Sequence, residues 1–311
     1  MKYTSVASLL LLNCVWLTSA THALVVQDPT YATHYRFTES STFPGTLTAN
    51  TSSNFLLAGQ DLSGIGWSTS DIRKNFTLIS PQHFIGAAHF MPAVGSQVSF
   101  FNRNGIIETY TVASVEVIQN GDSSNSDLFV GKLESTVSAN ITHYDIIPNN
   151  TNYLDIGSDI FVYGKGTVTT DGPMVGTGTI EAFSYINIGT NQNTVSYNFA
   201  YDSVPPPAPD DDNAHFQSGD SGSPSLMIYN GQIAVAGTHT ARNPNAEELT
   251  YYDNYDTFVG FYEDDLRTIL ASDGYTLGVV PEPAVSALLC ALGSLGVLAV
   301  RRKMRSPNPH M

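Results

Sequence analysis

A serine flanked by glycines is the position in this chain best suited to nucleophilic chemistry. The segment reads Gly219-Asp220-Ser221-Gly222-Ser223-Pro224. Glycines let the backbone turn sharply, so a loop of this kind can present a hydroxyl group together with neighbouring N–H groups. Acyl transfer needs that combination, because the attacking oxygen must lie beside donors for the developing oxyanion. Taken alone, the segment is also compatible with an ordinary turn.

A histidine and an aspartate upstream could activate this serine. A serine attacks readily only when a base removes its proton, and His89 follows a run of small residues that would seat it in a tight cleft. The base needs a buried carboxylate that fixes its tautomer. Asp127 heads the apolar run Leu128-Phe129-Val130, which predicts burial. The alternative is Asp122, in a polar turn that predicts exposure.

Short strand-like runs separated by turn residues must position these side chains. The runs are Phe76–Ile79, Val98–Phe101, Ile106–Val117, Leu128–Val130, Ile160–Tyr163, Thr179–Ile180, Val195–Tyr197 and Ile233–Ala236. The pair Asn104-Gly105 predicts a hairpin. Helical periodicity is confined to Tyr262–Ala271, where Asp264 and Asp265 occupy the first turn as the helix dipole favours. The pattern predicts an all-β fold, a barrel or a sandwich, with one late helix.

Charge and cysteine content exclude several functions. The chain has 311 residues and a formal net charge of −15, which argues against nucleic acid as a partner. Its cysteines, Cys14 and Cys290, lie in the terminal segments, so the body has no disulfide, thiolate nucleophile or cysteine metal site. We expect no cofactor and no metal at the nucleophile. The run Asp210-Asp211-Asp212 predicts a solvated loop or, alternatively, a calcium site, although its spacing matches no EF-hand.

Both ends of the chain have the pattern of processing signals. Lys2, an apolar run and the small residues before Leu24 predict a signal peptide over residues 1–23, cleaved after Ala23 or alternatively after Ala20. Residues 24–53 are weakly patterned and predict an N-terminal arm or a propeptide.

The C-terminal segment, residues 276–311, contains Val280-Pro281-Glu282-Pro283, an apolar stretch over residues 284–300 and then Arg301-Arg302-Lys303. This order resembles the PEP-CTERM sorting signal of Gram-negative bacteria. The resemblance implies export through the inner membrane and removal of the tail by an exosortase. A permanent membrane anchor is the alternative.

Three segments together resemble the motifs of the trypsin/chymotrypsin-like serine peptidases. They are Ala87-Ala88-His89, Asp127-Leu128-Phe129-Val130 and Gly219-Asp220-Ser221-Gly222-Ser223-Pro224, in the His, Asp, Ser order of that fold. The resemblance spans residues 55–270, within an expected peptidase domain of residues 54–275. It implies two antiparallel six-stranded β-barrels, with the site in the cleft between them, and a C-terminal helix.

The same resemblance implies a role for each matched residue. Ser221 would attack the peptide carbonyl, His89 would act as general base and then general acid, and Asp127 would orient His89. The N–H groups of Gly219 and Ser221 would form the oxyanion hole. The family commonly pairs the aspartate before its serine, here Asp220, with a freshly cut N-terminus. No typical activation site is visible upstream, so the neutralising partner stays open.

The residues expected around the substrate side chain predict acidic specificity. In this fold the pocket floor lies six residues before the nucleophile, at His215, so a preference for Lys or Arg is not expected. The segment 236–242 should form a second wall that includes Thr240. His239 follows Gly-Thr much as a pocket histidine follows Gly-Ile in glutamyl endopeptidases. His215, His239 and Arg242 could together receive a carboxylate; a neutral pocket for apolar side chains is the alternative.

These patterns predict an exported serine endopeptidase that acts on protein or peptide substrates through an acyl-enzyme. Signal peptidase and an exosortase would be its processing partners. Its expected location is the periplasm, the cell surface or the extracellular matrix of a Gram-negative bacterium, with at least transient anchoring in the inner membrane. The alternative is a catalytically inactive peptidase-like domain that serves as a surface or matrix binding protein.

Overall fold

The computed structural model describes residues 24–26, 29–150, 153–165, 172–189, 192–202, 212–244 and 251–281. The expected signal peptide and the apolar stretch of the expected sorting signal both lie outside the described residues. Within these ranges, no helix is long and apolar enough to cross a bilayer.

Strands dominate the described chain, as the alternating short runs predict. The fourteen strands are β1 (Val25–Val26), β2 (Ile65–Ser68), β3 (Asn75–Leu78), β4 (His83–Ala87), β5 (Gln97–Phe101), β6 (Ile107–Gln119), β7 (Asn125–Leu133), β8 (Asp159–Gly164), β9 (Met174–Gly189), β10 (Gln192–Asp202), β11 (Ala214–His215), β12 (Pro224–Tyr229), β13 (Gln232–Pro244) and β14 (Tyr251–Phe258). The predicted hairpin at Asn104-Gly105 connects β5 to β6, with Phe101 opposite Ile107.

Six of these strands close the first barrel. Going around the ring, the order is β2, β3, β4, β7, β6 and β5, and β5 pairs with β2 to complete it. All of the pairings are antiparallel. Aromatic and aliphatic side chains fill the interior, among them Phe76, Phe84, Phe100 and Phe129. Closure leaves no unpaired edge strand in this barrel, which removes a site for edge-to-edge aggregation.

A second ring of six strands follows in the chain. Its order is β8, β9, β10, β14, β13 and β12, and β12 pairs with β8, again with antiparallel neighbours throughout. A parallel bridge between Gln192 and Asn125 links the two rings. A further apolar cluster includes Ile65 and Leu128 from the first ring with Leu226 and Val235 from the second. The expected two-barrel architecture is therefore confirmed.

The C-terminal helix packs on this shared cluster. A short 3₁₀ helix (Val259–Tyr262) leads into α1 (Glu263–Ser272), close to the predicted bounds 262–271. Leu266 and Leu270 are fully buried in the cluster that joins the barrels. Burial of a leucine side chain contributes about 1.5–3 kcal/mol to the free energy of folding. The helix therefore helps to hold the two barrels together.

The segment before the barrels packs on both of them. Strand β1 pairs with β11, with Val25 opposite His215. Arg36 is buried, and its guanidinium donates to the carbonyls of Leu62 and Ile65 and to the hydroxyl of Tyr163. Three of the five N–H donors of this buried guanidinium therefore have acceptors in the two barrels and the loop before β2, which ties the segment to the folded domain.

Candidate active site

The three residues singled out by the sequence meet in the cleft between the barrels. His89 Nε2 lies 2.9 Å from Ser221 Oγ. The other ring nitrogen, Nδ1, lies 2.8 Å from Asp127 Oδ2 and 3.0 Å from Oδ1. Because a carboxylate can only accept, Nδ1 carries the proton and Nε2 is left to accept from the Ser221 hydroxyl. This arrangement can move a proton from serine to imidazole.

Each barrel contributes one side of this relay. His89 lies in a short 3₁₀ helix (Ala88–Phe90) directly after β4, and Asp127 lies in the adjacent strand β7. Ser221 lies in the loop between β11 and β12, and β12 belongs to the second barrel. The pairing of β4 with β7 therefore brings His89, just after the end of β4, beside Asp127, whereas the docking of the barrels brings Ser221 to them.

Two glycines make the serine loop possible. Gly219 and Gly222 have φ values of +101° and +84°, a backbone conformation in which other residues are strained. A Cβ on Gly222 would also lie 3.1 Å from the backbone of Ala87 and of Asn75. The absence of a side chain thus lets the loop approach β4 closely enough for Ser221 to reach His89.

The same loop leaves two amide groups available beside the serine. The N–H groups of Asp220, Gly222 and Ser223 donate to backbone carbonyls. In the described part of the chain, the N–H groups of Gly219 and Ser221 have no such acceptor. These are the two groups that the sequence predicts for an oxyanion hole, and donors of that kind stabilise developing negative charge on a carbonyl oxygen.

Asp127 is fully buried and accepts a hydrogen bond from Gln192 that the sequence did not predict. Its Oδ1 accepts from the backbone N–H of His89 at 2.9 Å and from Gln192 Nε2 at 3.1 Å. Gln192 belongs to β10 of the second barrel, and no motif surrounds it in the sequence. Three donors on one buried carboxylate offset the cost of its desolvation.

The alternative acid, Asp122, is exposed, and its Oδ1 accepts a hydrogen bond from the Ser124 hydroxyl group 2.6 Å away.

A cavity of about 240 Å³ opens beside Ser221. It is lined by Phe216, Gln217, Ser218, Ser221, His239, Thr240, Ala241 and Arg242. Of the four predicted substrate-contacting residues, the structure therefore places His239, Thr240 and Arg242 at this cavity. It does not place His215 there.

His215 lies behind the cavity in β11. Its ring is buried, packs edge-on against Tyr201 with centroids 4.6 Å apart, and lies 3.0 Å from the carbonyl oxygen of Phe216 through Nδ1. Burial lowers the pKa of His215 to about 4. Near neutral pH the ring is uncharged, so it adds no positive charge to the pocket.

His239 reaches the cavity with its ring but has both nitrogens engaged. Nε2 donates to the carbonyl of Tyr163 at 2.8 Å, and Nδ1 lies 2.7 Å from Asp256 Oδ1. The carboxyl group of Asp256 therefore lies directly against the His239 ring. The ring of Phe216 lies against it, with centroids 3.9 Å apart. Arg242 is the only Lys or Arg side chain that lines this cavity in the described residues.

The acidic run Asp210-Asp211-Asp212 forms no metal cluster within the described residues. Asp210 and Asp211 lie outside the described residues. The remaining carboxylate, Asp212, lies 2.9 Å from Nε2 of the buried His34. Groups of three or more metal-binding side chains do not occur among the described residues.

The chain matches a known protein family. The sequence model of the family described as Trypsin matches residues 65–261, which is more than half of the chain and includes both barrels. No curated protein matches the chain.

Proposed function

This chain belongs to the trypsin family of serine peptidases, and on that premise we propose that it is an active endopeptidase whose triad is Ser221, His89 and Asp127. The observation that supports the proposal best is the continuous relay from Asp127 through both ring nitrogens of His89 to Ser221 Oγ. An inactive binding domain has no chemical need for a buried carboxylate aligned in this way.

The proposed reaction proceeds through an acyl-enzyme. Ser221 Oγ attacks the peptide carbonyl while its proton moves to His89 Nε2, and the N–H groups of Gly219 and Ser221 stabilise the oxyanion. His89 then delivers that proton to the leaving nitrogen as the C–N bond breaks. Water, deprotonated by the same nitrogen, releases the acyl group and restores Ser221. Asp127 holds the ring and stabilises its charged form, and Gln192 positions Asp127.

A fluorophosphonate probe tests this proposal directly, because it phosphonylates only a serine activated by a neighbouring base. We expect the purified, folded protein to gain one probe mass at Ser221, and the Ser221→Ala variant to gain none. Folded wild-type protein that stays unlabelled and cleaves no protein substrate would support the alternative of an inactive binding domain.

We propose further that the enzyme prefers an acidic residue before the scissile bond, with Arg242 as the carboxylate partner. Arg242 Nη1 donates to the carbonyl of Phe216 at 3.3 Å, which holds the guanidinium at the mouth of the cavity. His215 is neutral near pH 7 and the His239 ring faces the Asp256 carboxyl group, so Arg242 supplies the positive charge. Thr240 adds a polar wall.

The preference for an acidic residue before the scissile bond is expected to disappear in the Arg242→Gln variant. A charge-assisted hydrogen bond contributes about 1.5–3 kcal/mol, so kcat/KM for a glutamate peptide should fall about 10- to 100-fold. The matched phenylalanine and leucine peptides should change little. Arg267→Gln, which removes an exposed cation of helix α1, serves as the control. Faster cleavage after phenylalanine than after glutamate by the wild-type enzyme would establish a neutral pocket instead.

We also propose that signal peptidase produces the N-terminus of the working enzyme at Leu24. The side chain of Leu24 is fully buried, and its Cβ lies 3.1 Å from the point where a Cβ on Gly164 would be. The carboxyl oxygen Oδ1 of the fully buried Asp220 lies 2.5 Å from that same point. An α-amino group formed at Leu24 would therefore lie beside a buried carboxylate next to Ser221. Opposite charges this close and this buried attract strongly.

Export, tail removal and residence at the cell surface or in the periplasm complete the proposal. The support is the order of the PEP-CTERM-like segments in the C-terminal sequence. Intact-mass measurement of the protein from its native host tests both ends. We expect a chain that begins at Leu24 and lacks residues 284–311. A start near residue 54 would identify residues 24–53 as a propeptide, and recovery of only the full tail in membranes would identify a permanent anchor.

A further inference from the structure

The distribution of positive charge around Ser221 is unusual for so acidic a protein. Between Leu24 and Val280 the chain has 8 Lys+Arg against 27 Asp+Glu, a formal charge of −19. Three exposed or half-exposed cations form ion pairs away from the cleft, namely Arg103 with Asp61, Lys132 with Asp273 and Arg267 with Glu263. Arg242 borders the cavity. Two further cations, Arg73 and Lys74, border the other side of the nucleophile.

Arg73 packs directly on the serine loop. Its side-chain carbons lie 3.1–3.3 Å from the point where a Cβ on Gly219 would be. Its guanidinium lies 5.8 Å from the ring centre of Phe90. Asp71 accepts from Nε at 2.8 Å and from Nη2 at 2.7 Å, which holds the planar group in place. Nη1 takes no part in this ion pair and can donate to a substrate.

Lys74 completes the same surface. Its ammonium group lies 4.8 Å from the ring centre of Phe90 and donates one hydrogen bond, at 3.0 Å, to the carbonyl of Met91. An ammonium group has three donors, so two remain for other acceptors. Among the described residues, Lys74 forms no salt bridge. Since Asp71 offsets the charge of Arg73, the ammonium group of Lys74 leaves this surface with a net charge of +1.

The surface formed by Arg73, Phe90 and Lys74 lies on the side of Ser221 where the substrate segment after the scissile bond should pass. This segment is the first product to leave. The residue before the scissile bond enters the cavity formed by the second barrel, so the chain after that bond must pass on the opposite side of Ser221. Its nitrogen has to reach His89 Nε2 for protonation. Phe90 follows His89 in the chain, and Arg73 covers Gly219 from the first barrel. The leaving segment therefore passes beside Arg73, Phe90 and Lys74.

We propose that Arg73 and Lys74 form a binding subsite for an acidic side chain within the first two residues after the scissile bond. The inference rests on the proposed peptidase function and adds to it a substrate class: segments with acidic residues on both sides of the cleaved bond. Charge–charge attraction at an exposed site is screened over a Debye length of about 8 Å at physiological salt. The subsite therefore acts at short range, although the overall charge of the enzyme repels acidic substrates.

A peptide series that varies only the first and second residues after the bond tests the subsite. With glutamate, glutamine or lysine at those positions, we expect kcat/KM to be about two- to fivefold higher for glutamate than for glutamine, the size typical of an exposed ion pair. Lys74→Gln should reduce this ratio, and Lys74→Glu should reverse it in favour of lysine. Added salt should reduce the ratio as well.

Arg267→Gln is the matched control, because it removes an exposed cation far from the cleft and should leave the ratio unchanged. Equal rates for the glutamate and glutamine peptides, or a ratio that persists in Lys74→Glu, would overturn the subsite while cleavage itself continued. Failure of the peptidase proposal is distinct: no peptide would be cleaved, and fluorophosphonate would not label Ser221.

Discussion

Ser221→Ala is expected to lower turnover by about 10⁶-fold, with little change in KM. The alanine variant has no oxygen to form the acyl-enzyme, and residues that act as one unit lose nearly the whole effect when one is removed. His89→Ala should cost about as much, since Ser221 then has no base 2.9 Å away. The double variant should be only slightly slower than either single one.

Steady-state hydrolysis of a fluorogenic peptide measures this prediction, with circular dichroism to establish that each variant is folded. Ser272→Ala, at the end of helix α1, is the control for the loss of a serine hydroxyl far from the cleft and should retain normal turnover. Single-variant losses of only tenfold, or strictly multiplicative effects in the double variant, would show that Ser221 and His89 do not act as one relay.

Asp127→Asn is expected to lower turnover by about 10⁴-fold while the fold is retained. An asparagine side chain is nearly the same size, but its amide can donate to His89 Nδ1 and so favour the tautomer that has its proton on Nε2. That ring nitrogen could then no longer accept the proton of Ser221. The Gln192 donor would lose its charged acceptor as well, because Asp127 Oδ1 receives both hydrogen bonds.

Asp122→Asn provides the matched control, since Asp122 is the other aspartate that the sequence offered and is exposed in the loop before β7. Its turnover should stay near that of the wild type, as measured with the same fluorogenic peptide. Normal activity in Asp127→Asn together with an inactive Asp122→Asn would reverse the assignment of the acid.

Sequence alone determined the features of this protein that depend on neighbouring residues in the chain. The glycines around Ser221 have to be glycines because two of them adopt positive φ. The apolar run after Asp127 predicts a buried strand, and that strand carries the carboxylate into the interior. The strand pattern and the late helix were predictable for the same reason, since the alternation of residue types is a property of neighbours in the chain.

Tertiary structure alone decided which distant residues share a surface. His215 lies in β11, behind the cavity beside Ser221, and the pairing of β13 with β14 places Asp256 against His239. The two histidines that the sequence suggested for a carboxylate site therefore face other partners. The second barrel brings Gln192 to Asp127 across 65 residues of chain. Partners of this kind leave no periodic pattern, because strand pairing and barrel docking set their distances and chain spacing does not. The charge around the cavity beside Ser221 therefore depends on the fold, whereas the choice of Ser221 as the candidate nucleophile does not.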